Sequence, residues 1–140
     1  GEQPAEAILR EIGEPRLRGM LRLAGYIPNS DLPAIYNRAS AFLYTSLRES
    51  FGIPQLEAMA CGTPVVTSAT SAIPEVAGEG AILVDPTDPK AIADALLRLE
   101  TDAAFRARQV AYGLDRVKQF SWEKTARHLL ALYESLGKTN

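Results

Sequence analysis

The sequence holds one cysteine, one histidine and one tryptophan in 140 residues, and no apolar run approaches the roughly 20 residues of a membrane span. Each scarcity removes a class of function. Cys61 stands alone and cannot form an internal disulfide; among small residues beside an expected helix end it reads as a buried structural thiol, compatible with a reducing compartment. His128 lies off the apolar stripe of its helix, which leaves no Ser-His or Cys-His arrangement for nucleophilic catalysis. Basic excess is also lacking: 15 Lys and Arg stand against 17 Asp and Glu, a net charge of −2. That balance argues against broad nucleic-acid binding. No charged-then-apolar amino terminus marks a signal peptide, and the opening Gly1 reads as other than the natural start.

What is present suits one globular domain, residues 1–140. Hydrophobic residues make up 46% and charged residues 23%, ordinary values for a packed core, and no repeat, low-complexity tract or linker interrupts them. Pro4–Ile12 predicts a short helix, Met20–Gly25 a strand, and Asp31–Arg38 a helix capped by Ser30. Ala41–Tyr44 predicts a buried strand, Pro54–Cys61 a helix closed by Gly62, and Pro64–Thr67 the next strand. A loop and short helix follow over 68–77, ended by Gly78 and Gly80, then a strand over Ala81–Val84. Asp88 with Pro89 starts a helix whose buried face carries Ile92, Ala95, Leu96 and Leu99. Further helices are expected from Asp102 to Tyr112 and after Ser121, the last with an apolar stripe of Trp122, Ala126, Leu129, Leu130, Tyr133 and Leu136. Alternating strands and helices imply an α/β, Rossmann-like parallel sheet with helices on both faces, which binds ligands at the carboxyl ends of its strands.

The chemistry concentrates between Tyr44 and Thr67. Glu49 and Glu57 stand eight positions apart with Phe51 and Gly52 between them. With the helix beginning near Pro54, Glu57 is expected in its first turn and Glu49 in the loop just ahead. A helix N-terminus is partly positive and suits a phosphate; Gly52 allows close approach to the backbone; a carboxylate matches a pair of sugar hydroxyls. The combination points to a ligand carrying both phosphate and hydroxyls. A first-turn acid that merely favours the helix dipole is the plainer account of Glu57, and two glutamates near phosphates could instead hold Mg²⁺.

Glu49 and Glu57 with Phe51-Gly52, followed by the run from Glu57 to Val66, resemble the signature of the retaining nucleotide-sugar glycosyltransferases of the GT-B fold, often called family 4. Gly25–Pro28, Leu32–Tyr36, Ile73–Val76, Gly80–Pro86 and Phe120–Trp122 are similar to family segments in the same order, so the resemblance covers nearly the whole chain. It implies the donor-binding, C-terminal half of a GT-B enzyme, incomplete at its N-terminus and missing the Arg and Lys that neutralise the diphosphate.

By this resemblance Glu49 contacts hydroxyls of the transferred sugar and is the catalytic candidate. Ser50, Phe51, Gly52 and Ile53 help to hold sugar and diphosphate, Glu57 takes the nucleotide ribose, and Tyr26 and Ile27 meet the base through the main chain. Transfer is metal-independent by the same implication, with no cofactor beyond the nucleotide-sugar donor. The acceptor, a sugar or lipid-linked sugar, falls to a missing N-terminal domain. Polysaccharide or glycolipid synthesis in the cytoplasm or at the inner membrane face is the class expectation. Ser46 and Arg48 read as loop-stabilising and Glu75 as helix-end structure. Thr45, Ser50 and Ser71-Ala72 depart from the common pattern of proline, glycine and a glycine pair, so the donor sugar stays unnamed. Without the cationic loop, the chain alone is expected to be inactive and its uncovered apolar surface to favour self-association. A nucleotide-sugar-binding or interaction module that no longer catalyses is the alternative.

Overall fold

A computed structural model describes residues 19–137. The expected helix over 4–12 lies outside the described residues. The chain divides between Leu32 and Pro33 into two units.

In the first unit the expected strand over 20–25 does not form: residues 21–25 carry no ladder. Met20, Leu21 and Leu23 supply apolar side chains, but a strand exists only by pairing, which composition alone does not provide. Gly25 turns the chain at φ 64°, and the N–H of Asp31 donates to the carbonyl of Pro28 at 2.9 Å. The Ser30 hydroxyl donates to its neighbour Asp31 at 3.1 Å; a cap would need Ser30 Oγ to accept a backbone N–H, and the helix that follows starts at Leu32, one residue beyond the expected Asp31.

The second unit is built around a three-stranded parallel sheet in the order β1-β2-β3, with β1 over Phe42–Tyr44, β2 over Val65–Ser68 and β3 over Ala81–Val84. Phe42 pairs with Val65 and Val65 with Ala81, so the three strands start level. Every residue of β2 is buried, as a central parallel strand covered on both faces requires. Helix α1 (Leu32–Arg38) leads into β1, and α2 (Ile53–Ala60) crosses from β1 to β2. The short α3 (Ile73–Ala77) and a 3₁₀ turn (Gly78–Gly80) cross to β3. After β3 come α4 (Pro89–Thr101), α5 (Ala103–Val117) and α6 (Trp122–Gly137).

Local chemistry sets the helix ends. Gly62 stands at φ 73° beyond α2, and its N–H donates to the Met59 carbonyl at 2.9 Å while that of Thr63 donates to Ala58 at 3.0 Å. This is a Schellman closure, which demands a left-handed residue at Gly62. Cys61, the C-cap of α2, is half-buried, not buried as expected. Asp88 caps α4 by accepting from the N–H groups of Lys90 and Ala91, and Asp102 caps α5 by accepting from Phe105 at 2.8 Å. Ser121 accepts from the N–H of Lys124 at 3.1 Å at the start of α6.

The apolar face read from α4 packs as expected: Ala95 and Leu99 join Val66, Val84 and Phe105 in one core, with Ile92 and Leu96 against it. Helix α5 runs five residues past its expected end at Tyr112. It continues through Gly113 because that glycine lies buried against α2, where an added Cβ would meet Met59 Cγ at 3.2 Å and the Gly80 carbonyl at 3.4 Å. No residue of α6 is buried, and Trp122, Leu130 and Tyr133 of its apolar stripe stand exposed.

Gly113→Val tests this contact. In an exposed helix, replacing glycine with a larger residue generally helps; here overpacking against Met59 is expected to destabilise the chain by about 1–3 kcal/mol in urea unfolding. A neutral or stabilising result would show that α2 and α5 are not closely packed at this point.

Candidate functional site

The site begins where β1 ends. Beyond Tyr44 the chain leaves the sheet for a loop over 45–52, and a row of hydroxyls from the end of β2 fixes that loop. Thr67 Oγ1 donates to the Tyr44 carbonyl at 2.8 Å, Ser68 Oγ to Ser46 at 2.6 Å, Thr70 Oγ1 to Leu47 at 3.5 Å and Ser71 Oγ to Glu49 at 2.7 Å. The N–H of Glu49 donates back to Ser71 Oγ at 3.4 Å, so the main chain of Glu49 is held on both sides. Ser71 achieves this in a left-handed conformation, φ 58°, the one positive φ among the described non-glycine residues. That explains why glycine suits the position and what serine adds: strain of roughly 1–2 kcal/mol is offset by two hydrogen bonds.

Gly52 then turns the loop into α2. It serves as N-cap at φ 83°, and a Cβ there would come within 2.9 Å of Gln55 Nε2 and 3.5 Å of Tyr44 Cε1. No side chain caps this helix end. Pro54 carries no N–H, and the N–H of Gln55 returns to the Gly52 carbonyl at 3.3 Å, so the backbone donor of Ile53 is left to face outward. Gln55 is fully buried beneath the turn, with Nε2 3.4 Å from the Phe51 carbonyl. Its place in the core was marked in the sequence only as a polar residue within an apolar helix.

Glu57 is the fifth residue of α2 and lies in its second turn, not the first as expected, because Gly52 caps the helix one residue earlier than Pro54 implied. No acidic residue occupies the first turn, so favouring the dipole does not account for Glu57. Its partner is Tyr36 of α1, whose hydroxyl donates to Oε2 at 3.4 Å. Glu49 has the matching arrangement: the hydroxyl of Tyr44 donates to its Oε1 in a short hydrogen bond. The two tyrosines belong to one aromatic row, Tyr36 meeting Phe42 edge-on at 5.2 Å and Phe42 stacking on Tyr44 at 5.8 Å. Burial, then the hydrogen bond and charge of Glu49, push the Tyr44 phenol up to about 12. Burial and Glu57 raise that of Tyr36 in the same way. Both remain neutral donors near pH 7. Neither tyrosine was a site candidate from sequence; their spacing merges with ordinary sheet and helix packing.

Glu49, Arg48, Ser50 and Ser71 line an open cleft of about 450 Å³. Phe51, next in the chain, is exposed and meets Phe120 edge-on at 5.7 Å. Arg116 lies over the Phe120 ring and donates to the carbonyls of Glu75 and Val76, tying α5 to the end of α3. Glu75 thus contributes its backbone here, in keeping with a helix-end role. Ser46 stabilises the loop by donating to the Arg48 carbonyl; the Arg48 side chain makes no such bond among the described residues and is free to face the cleft. Tyr26 and Ile27 fall in the first unit, outside any strand, with Tyr26 exposed. His128 is exposed on α6. Among the described residues no group of three or more His, Cys, Asp or Glu is placed to hold a metal ion, and no helix is long and apolar enough to cross a membrane.

The family model described as glycosyl transferases group 1 matches residues 1–116. The chain belongs to this family. Over 118 residues, 84% of its length, the group 1 domain is 42% identical to the O-antigen chain mannosyltransferase B of Escherichia coli. It spans 31% of that relative's length and 13% of the serotype-specific mannosyltransferase WbdA of the same organism. The whole chain superposes on sucrose-phosphate synthase from Thermosynechococcus elongatus with a TM-score of 0.85 and 31% identity, covering 38% of that protein. It also matches the C-terminal domain of a group 1 glycosyl transferase, LpcC, from Francisella tularensis: TM-score 0.68, 26% identity, 84% of this chain and 64% of the other. The Rossmann-like half of a GT-B fold expected from sequence is therefore the fold of this group 1 domain.

Two outcomes test the geometry of the group 1 site. Ser71→Ala loses the hydroxyl and keeps the strain, and is expected to destabilise by about 1–2 kcal/mol in denaturant unfolding; Ser71→Gly, which relieves the strain, should lose less. The Tyr44 phenol is raised in the folded state from 10.0 to about 12. Its contribution to stability is therefore complete below pH 10 and fades as pH rises through about 12. Unfolding measured across that window should show the loss in the parent protein and a smaller one in Tyr44→Phe.

Proposed function

We propose that the chain is the donor-binding domain of a retaining glycosyltransferase that moves a sugar from a nucleotide-diphosphate sugar to an acceptor hydroxyl, in polysaccharide or glycolipid synthesis. The observation that carries this reading is the pair of carboxylates, Glu49 and Glu57, each held by a tyrosine hydroxyl beside the uncapped N-terminus of α2.

Charge decides the roles. The diphosphate belongs at the helix end, where the N–H groups of Phe51, Gly52 and Ile53 and the partial positive charge meet it. A carboxylate would repel that group, while a diol gives it two hydrogen bonds. Glu57, a turn further into α2, takes the ribose hydroxyls; Glu49, in the cleft with Ser50, takes those of the sugar. Tyr26 and Ile27 meet the base. As the diphosphate departs, its growing charge is stabilised by donors already oriented toward it. The reading needs no metal and no cofactor. Residues 1–140 act as one domain, the acceptor is held by a further domain, and the complete enzyme works in the cytoplasm or at the inner membrane face. The chain alone binds donor without turning it over and tends to self-associate.

Calorimetric titration of UDP, GDP and ADP, with and without Mg²⁺, into the chain and its Glu57→Ala variant tests this reading. One nucleotide should bind irrespective of Mg²⁺, and the substitution should weaken it by about 1–3 kcal/mol. Equal binding by both proteins would remove Glu57 from the ribose site.

A further inference from the structure

We propose that Tyr44 is a positioning residue for Glu49: its hydroxyl engages one carboxylate oxygen, Oε1, and leaves Oε2 as the oxygen that a ligand hydroxyl meets. This rests on the reading of Glu49 as the sugar contact.

A glutamate in a loop has three side-chain torsions to fix before its carboxylate can recognise a hydroxyl, and that ordering subtracts from binding unless the protein has done it beforehand. Here it has been done at both ends of the residue. Ser71 holds the Glu49 main chain through its N–H and carbonyl, and Tyr44 holds the carboxylate. The Tyr44 ring is itself fixed, stacked on Phe42 at 5.8 Å with an interplanar angle of 16°, while Phe42 abuts Tyr36 at 84°. The ring edge also leaves no more than a Cβ contact of 3.5 Å at Gly52. A phenol held neutral up to about pH 12 donates and does not accept a proton from substrate, so its action passes through Glu49. Tyr36 makes the longer bond, 3.4 Å, to an exposed Glu57. The two tyrosines thus serve different parts of one ligand, Tyr44 the sugar and Tyr36 the nucleotide.

The test compares, in the complete natural protein, affinity for a nucleotide diphosphate with affinity for its sugar conjugate, using GDP with GDP-mannose and UDP with UDP-glucose. The readout is the gain in affinity from the sugar, alongside kcat and KM for transfer. Tyr44→Phe keeps the stacked ring and should reduce the sugar-dependent gain by about tenfold, with nucleotide affinity held and kcat falling more than KM moves. Tyr36→Phe should weaken the nucleotide itself and preserve the gain. If Tyr44→Phe retains the full gain while Glu49→Gln loses it, Glu49 orients itself and the proposal is overturned with the sugar reading intact. If Glu49→Gln also retains the gain, that reading fails and takes the proposal with it. Equal losses of nucleotide and conjugate in both tyrosine variants would reduce the pair to packing.

Discussion

The hydroxyls of Thr67, Ser68, Thr70 and Ser71, donating to successive carbonyls between Tyr44 and Glu49, are the constraint on which the rest of the site depends. Past the last paired residue of a parallel strand the backbone has polar groups with no ladder to satisfy them. In this chain the neighbouring strand supplies side-chain donors where the sheet stops supplying backbone ones. The loop is thereby tied to the end of β2 along the path that brings Glu49, then Gly52, to the start of α2. The left-handed Ser71 belongs to the same device: from that backbone position its hydroxyl bonds both the N–H and the carbonyl of Glu49.

Beneath the loop, the aromatic row from Tyr36 through Phe42 to Tyr44 gives the two carboxylates a common support. Its rings pack as sheet and helix packing requires, while the terminal hydroxyls point to acids on either side of the α2 N-terminus. An apolar body with a polar tip makes tyrosine suited to that edge between core and solvent. The arrangement engages one oxygen of each carboxylate with a neutral hydroxyl beside a helix end that no side chain caps. Arg116 extends the same framework, joining α5 to the carbonyls that close α3 and bracing Phe120 behind Phe51.

Much of this was legible before any coordinates. The strand over Ala81–Val84, the caps at Asp88 and Ser121 and the core face of α4 follow from periodicity and cap chemistry, which are local. Reading failed where a partner decides. The stretch after Met20 has strand composition without a ladder, and Gly113 ends no helix because Met59 packs on it. One residue of error at the start of α2 moved Glu57 from the first turn to the second, and with it the physical argument about the dipole.

The sequence by itself determined the family, the order of strands and helices from β1 onward and the spacing of Glu49 and Glu57 about the start of α2, because these depend on residue type and spacing along the chain. Tertiary structure alone decided that Tyr36 and Tyr44 hold those glutamates, that Gln55 lies buried under Gly52 and that hydroxyls up to twenty-three residues away secure the loop. Such partners meet across strands and crossovers, where the path of the chain in space, and not its local pattern, sets which groups come within hydrogen-bonding reach.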